Sequence, residues 1–268
     1  MLKIEIPDID KMIFVATCPR SGSSALTRCL VGCGAFVGSH KAKPLNPLGF
    51  YENQEINRIF NFTWIRTGHL PGLATRRKAA EAGEMPNIEF LRERVALALY
   101  LDGYRGGTAA FKHALYMFYA EQIQQAFPDA LWILPIRDSE EIMDSMHRAE
   151  MVDDRLQAIY KLQQFKAGYE LVRKTCSNVM EIHTSRLIKD GDTREFEQIC
   201  KAGGLEFNAE VVAKSLDKSL WNRTAFEIKE AKAKAEGKPP PVRPSQMPDG
   251  LYPIGQLDGP VINAGQEN

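Results

Sequence analysis

Six consecutive residues near the amino end, Pro19-Arg20-Ser21-Gly22-Ser23-Ser24, combine a glycine, three hydroxyls and a guanidinium. Where a strand delivers such a stretch into a helix, free backbone N–H groups and the positive helix end converge on one point, which suits a phosphate or sulfate group. Gly22 lets the backbone approach the anion, Arg20 adds a fork of donors, and the serines add hydroxyls. Each charge-assisted bond contributes on the order of 1.5–3 kcal/mol. The plainer reading of the same residues is a serine-rich helix cap beside an exposed arginine. A second basic centre is Arg137, followed by Ser145 about two helical turns later. Alone, Arg137 would more often be a helix-cap or salt-bridge partner; the weight comes from two anion centres flanking one cleft. Lys112 supplies a further cation, or a surface lysine. His113 and Glu52 offer groups that take a proton from a hydroxyl, an unperturbed imidazole titrating near 6.5. Their plainer readings are a hydrogen-bonded structural histidine and a helix-start carboxylate.

These side chains need a scaffold. Residues 12–17 form a β-branched and aromatic run that predicts a strand ahead of the loop, and residues 25–31 carry helical apolar spacing behind it. Further strands are predicted at 108–112, 130–137 and 178–182. Helices are predicted at 52–62, 88–101, 119–127, 153–174, 185–189, 193–202 and 209–217. Another, through Arg148, is capped by Asp138-Ser139 with Glu140 and Glu141 in its first turn. Residues 39–50 and 66–87 read as connections. Strands alternating with helices predict an α/β fold of three layers, α/β/α, around a central parallel sheet. One domain is expected over residues 1–226. From Glu227 the composition shifts to Lys, Glu and Ala and then to Lys238-Pro-Pro-Pro-Val-Arg-Pro, a linker-like tail over 227–268 within reach of packing near a bound cofactor.

The 268 residues are 44% hydrophobic and 25% charged, the profile of a soluble globular chain. Lysine and arginine number 34, as do aspartate and glutamate, so no net field recruits nucleic acid or anionic membrane. The apolar runs fall short of the roughly 20 residues of a membrane span. Acidic Glu5, Asp8 and Asp10 ahead of the first apolar run do not suit a signal peptide, and a cytoplasmic protein is expected. Five cysteines without a CxxC pair indicate neither a disulfide framework nor a zinc site, and Cys29 and Cys33 share a helix face as core. No HxxxH or carboxylate cluster points to a metal. The nucleoside-triphosphate motif GxxxxGK[ST] is absent, and residues 32–38 follow a helix without the GxGxxG spacing of a dinucleotide loop.

The paired motifs, in this order, resemble those of the cytosolic and bacterial sulfotransferases, which use 3′-phosphoadenosine 5′-phosphosulfate. The resemblance spans residues 12–205 and includes Gly49-Phe-Tyr-Glu-Asn53, Phe111-Lys112 at a strand end, and Phe127-Pro-Asp-Ala130. It implies the P-loop-like sulfotransferase fold, with Pro19, Arg20, Ser21, Gly22, Ser23 and Ser24 around the 5′-phosphosulfate and Arg137 and Ser145 on the 3′-phosphate. Arg20 then stands at the bridging oxygen, where small-molecule members carry lysine. Lys112 would contact the transferring group, and His113 or Glu52 would serve as base. The implied reaction moves a sulfuryl group to a hydroxyl or amine of an acceptor, small molecule, glycan or lipid, that the sequence does not name. Phe62, Trp64, Met117, Phe118 and Tyr119 read as acceptor pocket or as core. Three departures stand out. Lys112-His113-Ala114 is one residue short of the Lys-x-His of small-molecule members. Thr184-Ser-Arg-Leu187 replaces a Tyr-Glu-Asp-Leu segment whose tyrosine lies on adenine. The late Arg-Lys-Gly contact has only Lys238 or Arg243 as tail substitutes. Two other readings remain: a catalytically silent nucleotide-binding or assembly protein on the same fold, and a nucleotide kinase, which Mg²⁺-dependent ATP binding would mark.

Overall fold

A computed structural model describes residues 9–40, 49–60 and 91–216, together with 230, 233, 234 and 236–239. Its centre is β1, Lys11–Ala16, whose side chains alternate between two apolar layers. Met12, Phe14 and Ala16 face one layer, Ile13 and Val15 the other. Both faces are covered, so the strand reads in sequence as one continuous apolar run. Strands β2 (Thr108–His113), β3 (Leu131–Ile136) and β4 (Asn178–His183) join it in a parallel sheet of order β2-β1-β3-β4. The predicted α/β class and all four strands are present.

On one face lie α2 (Gln54–Phe60), α3 (Leu91–Leu101), α4 (Ala120–Ala126), α5 (Ser139–Arg148) and α6 (Arg155–Thr175). Aromatic packing fixes this layer: the Phe14 ring stacks on Trp132 at 5.1 Å and meets Phe60 and Tyr116 edge-on at 5.9 and 5.4 Å. The other face carries α1 (Ser23–Gly32), α7 (Arg194–Gly203) and α8 (Ala209–Ser215). Here Gly203 lies against the sheet, where an added Cβ would stand 2.7 Å from Ile13 Cδ1. The result is the predicted three-layer α/β/α arrangement.

Differences are local. A short 3₁₀ turn, Tyr116–Tyr119, precedes α4 and buries all four of its side chains, so Met117, Phe118 and Tyr119 are core. The segment predicted at 185–189 is a π-helical turn, Arg186–Asp190. Glu52 lies in the irregular stretch before α2 rather than within a helix. Residues 32–38 close α1, and Phe36 then bridges to Ala109 on β2. All five cysteines are buried thiols, and burial pushes Cys18 and Cys29 up to about 12. Among the described residues no helix is long and apolar enough to cross a membrane. Phe62, Trp64, residues 66–87, Arg243 and most of the 227–268 tail lie outside the described residues. Lys238 is exposed and pairs with Glu236 at 2.8 Å.

Candidate functional site

Parallel strands end together, and the sheet order changes direction between β1 and β3, which is where ligands sit in open α/β sheets. The loop after β1 and Arg137 after β3 therefore share one crevice. Arg20 adopts a left-handed backbone, φ 68°, at a cost of roughly 1–2 kcal/mol for a residue with a Cβ. That turn sends its carbonyl to Arg137, whose Nη1 donates to it at 2.8 Å, and its side chain to α5, where Nε donates to Ser145 Oγ at 2.9 Å. Arg20, Arg137 and Ser145, assigned by sequence to two anion centres, thus form one connected cluster.

The next peptide is held as firmly. Thr184, fully buried just after β4, donates to the Ser21 carbonyl at 2.6 Å and approaches the Ile136 carbonyl at 3.2 Å. In a trans peptide the N–H of Gly22 then points the opposite way, out of the sheet. The buried phenol of Tyr169 on α6 accepts from the Cys18 N–H at 3.1 Å and donates to the Pro135 carbonyl at 3.0 Å, tying the loop entrance to β3. Gly22 itself is left-handed, φ 84°, and starts α1. Among the described residues the N–H groups of Gly22, Ser23 and Ser24 meet no acceptor, as expected of a helix start.

Two of the serines behave differently from expectation. Ser21 and Ser23 are buried, and their hydroxyls face Thr17 Oγ1 at 3.2 and 2.5 Å rather than the crevice. They brace the loop from inside. Ser24 is half-buried in the first turn of α1.

Basic side chains gather in the crevice. The Arg137 side chain is 3% exposed; its Nε donates to Glu141 Oε2 at 2.9 Å, and Glu141 Oε1 accepts from Lys189 at 2.7 Å. Burial and then like-charge repulsion from Arg137 and Arg148 push the Arg20 guanidinium below its ordinary value. Burial lowers Arg137 too, opposed by Glu141 and reinforced by Arg148. The Lys189 contact, against the effect of burial and with help from Arg137, holds Glu141 below the usual carboxylate range. Arginine stays protonated in proteins, so these shifts mark positive charge that an anion would stabilise.

Beside this cluster, the β1–β2 register sets Lys112 against Val15 and His113 against Ala16. Lys112, 4% exposed in its side chain, donates to Glu52 Oε1 at 2.8 Å and lies over the Phe50 ring. His113 turns to the other side of the strand, beside the Tyr116 ring, and its Nδ1 accepts from the Leu115 N–H at 3.1 Å. The neutral ring then carries its proton on Nε2. Lys112 and Glu52 are brought together, and His113 packs against Tyr116. Among the described residues no three His, Cys, Asp or Glu side chains gather as a metal site.

Sequence reasoning did not single out Tyr169, Glu141 or Arg148 for this site, and assigned Thr184 only as a replaced adenine contact. Glu141 was legible as the i+4 partner of Arg137 and Arg148 as the i+3 neighbour of Ser145. The contacts of Tyr169 and Thr184 had no local signal.

No family model matches the chain, and no curated protein matches it. Solved structures do. The sulfotransferase domain of the olefin synthase of Synechococcus PCC 7002 aligns with a TM-score of 0.53 at 15% identity, over 82% of this chain and 90% of that one. The sulfotransferase domain from the curacin biosynthetic pathway aligns with a TM-score of 0.51 at 14% identity, over 88% of this chain and 100% of that one. The chain, with its parallel sheet flanked by helices, has the fold of these sulfotransferase domains.

Proposed function

We propose that the protein transfers a sulfuryl group from 3′-phosphoadenosine 5′-phosphosulfate to a hydroxyl or amine acceptor. The carrying observation is the unbroken path from loop to α5, Arg137 Nη1 to the Arg20 carbonyl at 2.8 Å and Arg20 Nε to Ser145 Oγ at 2.9 Å. It unites the donors suited to two phosphates in one positive crevice. The loop amides of Gly22, Ser23 and Ser24 hold the 5′ group, and Arg137 with Ser145 and Arg20 holds the 3′-phosphate.

Like phosphoryl transfer, the reaction needs positioning and charge neutralisation more than covalent help. The acceptor oxygen bonds to sulfur as the bond from sulfur to the bridging phosphate oxygen breaks. The electron pair of that bond stays on the phosphate, giving adenosine 3′,5′-bisphosphate, and the loop amides and Lys112 offset its charge. The acceptor proton passes to a carboxylate or imidazole. The Leu115 N–H bond to Nδ1 argues against His113 in that role, because its remaining nitrogen is a donor; the Glu52 carboxylate, held against Lys112, is the better base. Five reduced, buried cysteines support a cytoplasmic setting.

Calorimetric titration with adenosine 3′,5′-bisphosphate, beside ATP with Mg²⁺, tests the assignment without knowing the acceptor. Micromolar binding of the bisphosphate without metal is expected. Binding of magnesium ATP alone would establish the kinase reading instead, and bisphosphate binding without transfer from labelled donor in an acceptor screen would identify a silent binding protein.

A further inference from the structure

Helix α5 aligns three polar side chains along one face: Glu141, Ser145 and Arg148, at i, i+4 and i+7. The first two reach into the crevice, Glu141 to Arg137 and Ser145 to Arg20, each at 2.9 Å. The helical repeat carries Arg148 to the same side one turn on, and its Nε is shielded from solvent. A cation in the last turn is favoured by the helix dipole, which accounts for a basic residue there but not for its direction.

The surrounding charges sharpen the point. Arg148 is close enough to repel both Arg20 and Arg137, and Glu141 is shared between Arg137 and Lys189. Like charges held close in a poorly hydrated crevice are costly unless an anion joins them.

We propose that Arg148 is a specificity residue of this crevice, closing with Arg20 and Arg137 a clamp of three guanidiniums that selects a terminal phosphate monoester over a free hydroxyl. The inference rests on the reading above that Arg137 and Ser145 hold the 3′-phosphate. Arg148 acts on that group alone, since the 5′ group is held by the loop amides. Its removal therefore changes discrimination between ligands, not nucleotide binding in general.

The test is a two-by-two titration: wild type and Arg148→Met, each with adenosine 3′,5′-bisphosphate and with adenosine 5′-monophosphate, after thermal unfolding has checked that the variant is folded. Arg148→Met should lose about 10–100-fold in bisphosphate affinity, the size of one charge-assisted contact, with monophosphate affinity unchanged. Arg148→Lys should keep part of the preference, having the charge without the fork. Equal weakening of both ligands would make Arg148 a residue of the fold and overturn the proposal. So would an unchanged preference in Arg148→Met, with the 3′-phosphate assignment left standing. A wild type that does not prefer the bisphosphate would overturn that assignment and this proposal with it.

Discussion

Thr184→Val exchanges a hydroxyl for a methyl at a fully buried position, so it opens almost no cavity and isolates one effect. The Ser21 carbonyl loses the donor it meets at 2.6 Å, and the Ile136 carbonyl loses its contact at 3.2 Å. A buried acceptor left unsatisfied costs about 1–3 kcal/mol. The chain has two ways to meet that cost. If the loop keeps its shape, the whole amount appears as lost stability. If the Ser21 carbonyl rotates toward water, stability is kept, but the Gly22 N–H turns from the crevice and bisphosphate affinity falls by the same free energy, about 5–150-fold. The two losses therefore share a total of about 1–3 kcal/mol. Urea unfolding without ligand measures the first and calorimetric titration the second; Thr184→Ser, which keeps the hydroxyl, should preserve both. A Thr184→Val protein matching wild type in both assays would refute the loop-anchoring role.

Arg137→Ala should weaken bisphosphate binding by about 2–4 kcal/mol through lost charge-assisted bonds, and unchanged affinity in calorimetry would remove Arg137 from the ligand. Glu52→Gln should retain bisphosphate binding while turnover falls about 100-fold or more, the scale of general-base catalysis. His113→Ala should keep most activity; the reverse ranking of these two variants in a labelled-donor assay would move the base to His113. Because its contacts hold Glu141 below its ordinary 4.5, the stability they contribute is present above about pH 4.5 and lost as pH falls through the lower folded value. Glu141→Gln should flatten the acid decline of stability in urea titrations below pH 4.5, and an unaltered decline would show those contacts to be inert. Cys18, Cys29 and Cys200, pushed up to about 12 by burial first of all, should resist iodoacetamide at pH 8 until urea exposes them. Rapid labelling of the native protein would contradict their burial.

The two central strands were legible because a parallel strand covered on both faces needs apolar residues at every position, and residues 12–16 and 130–136 supply them without interruption. Helix α5 was legible from its cap: the Asp138 side chain accepts from the Glu141 N–H at 3.0 Å, as the sequence order suggests. The Tyr116–Tyr119 turn was not, since four consecutive large side chains carry no period that separates a turn from a helix start. In the site, residue types announced an anion loop, but directions depended on partners far along the chain. The φ of 68° at Arg20 decides that its side chain meets Ser145, and no property of the residues beside it encodes that angle. Likewise Ser21 and Ser23 look identical to Ser24 in sequence, and only the neighbouring Thr17 hydroxyl decides which of them turn inward.

The loop after β1 is made early in the chain but shaped late. Its contacts come from Arg137, Ser145, Tyr169 and Thr184, at sequence separations of 117, 125, 151 and 163 residues. Closures of that length are slow steps in folding. A nascent chain that has released β1 thus carries the residues of the crevice long before it has the crevice, and the ability to bind is among the last properties to appear. Occupancy then reports completion: a ligand at a hundredfold its dissociation constant would favour the finished fold by about 2.7 kcal/mol and give nothing to any intermediate lacking β4.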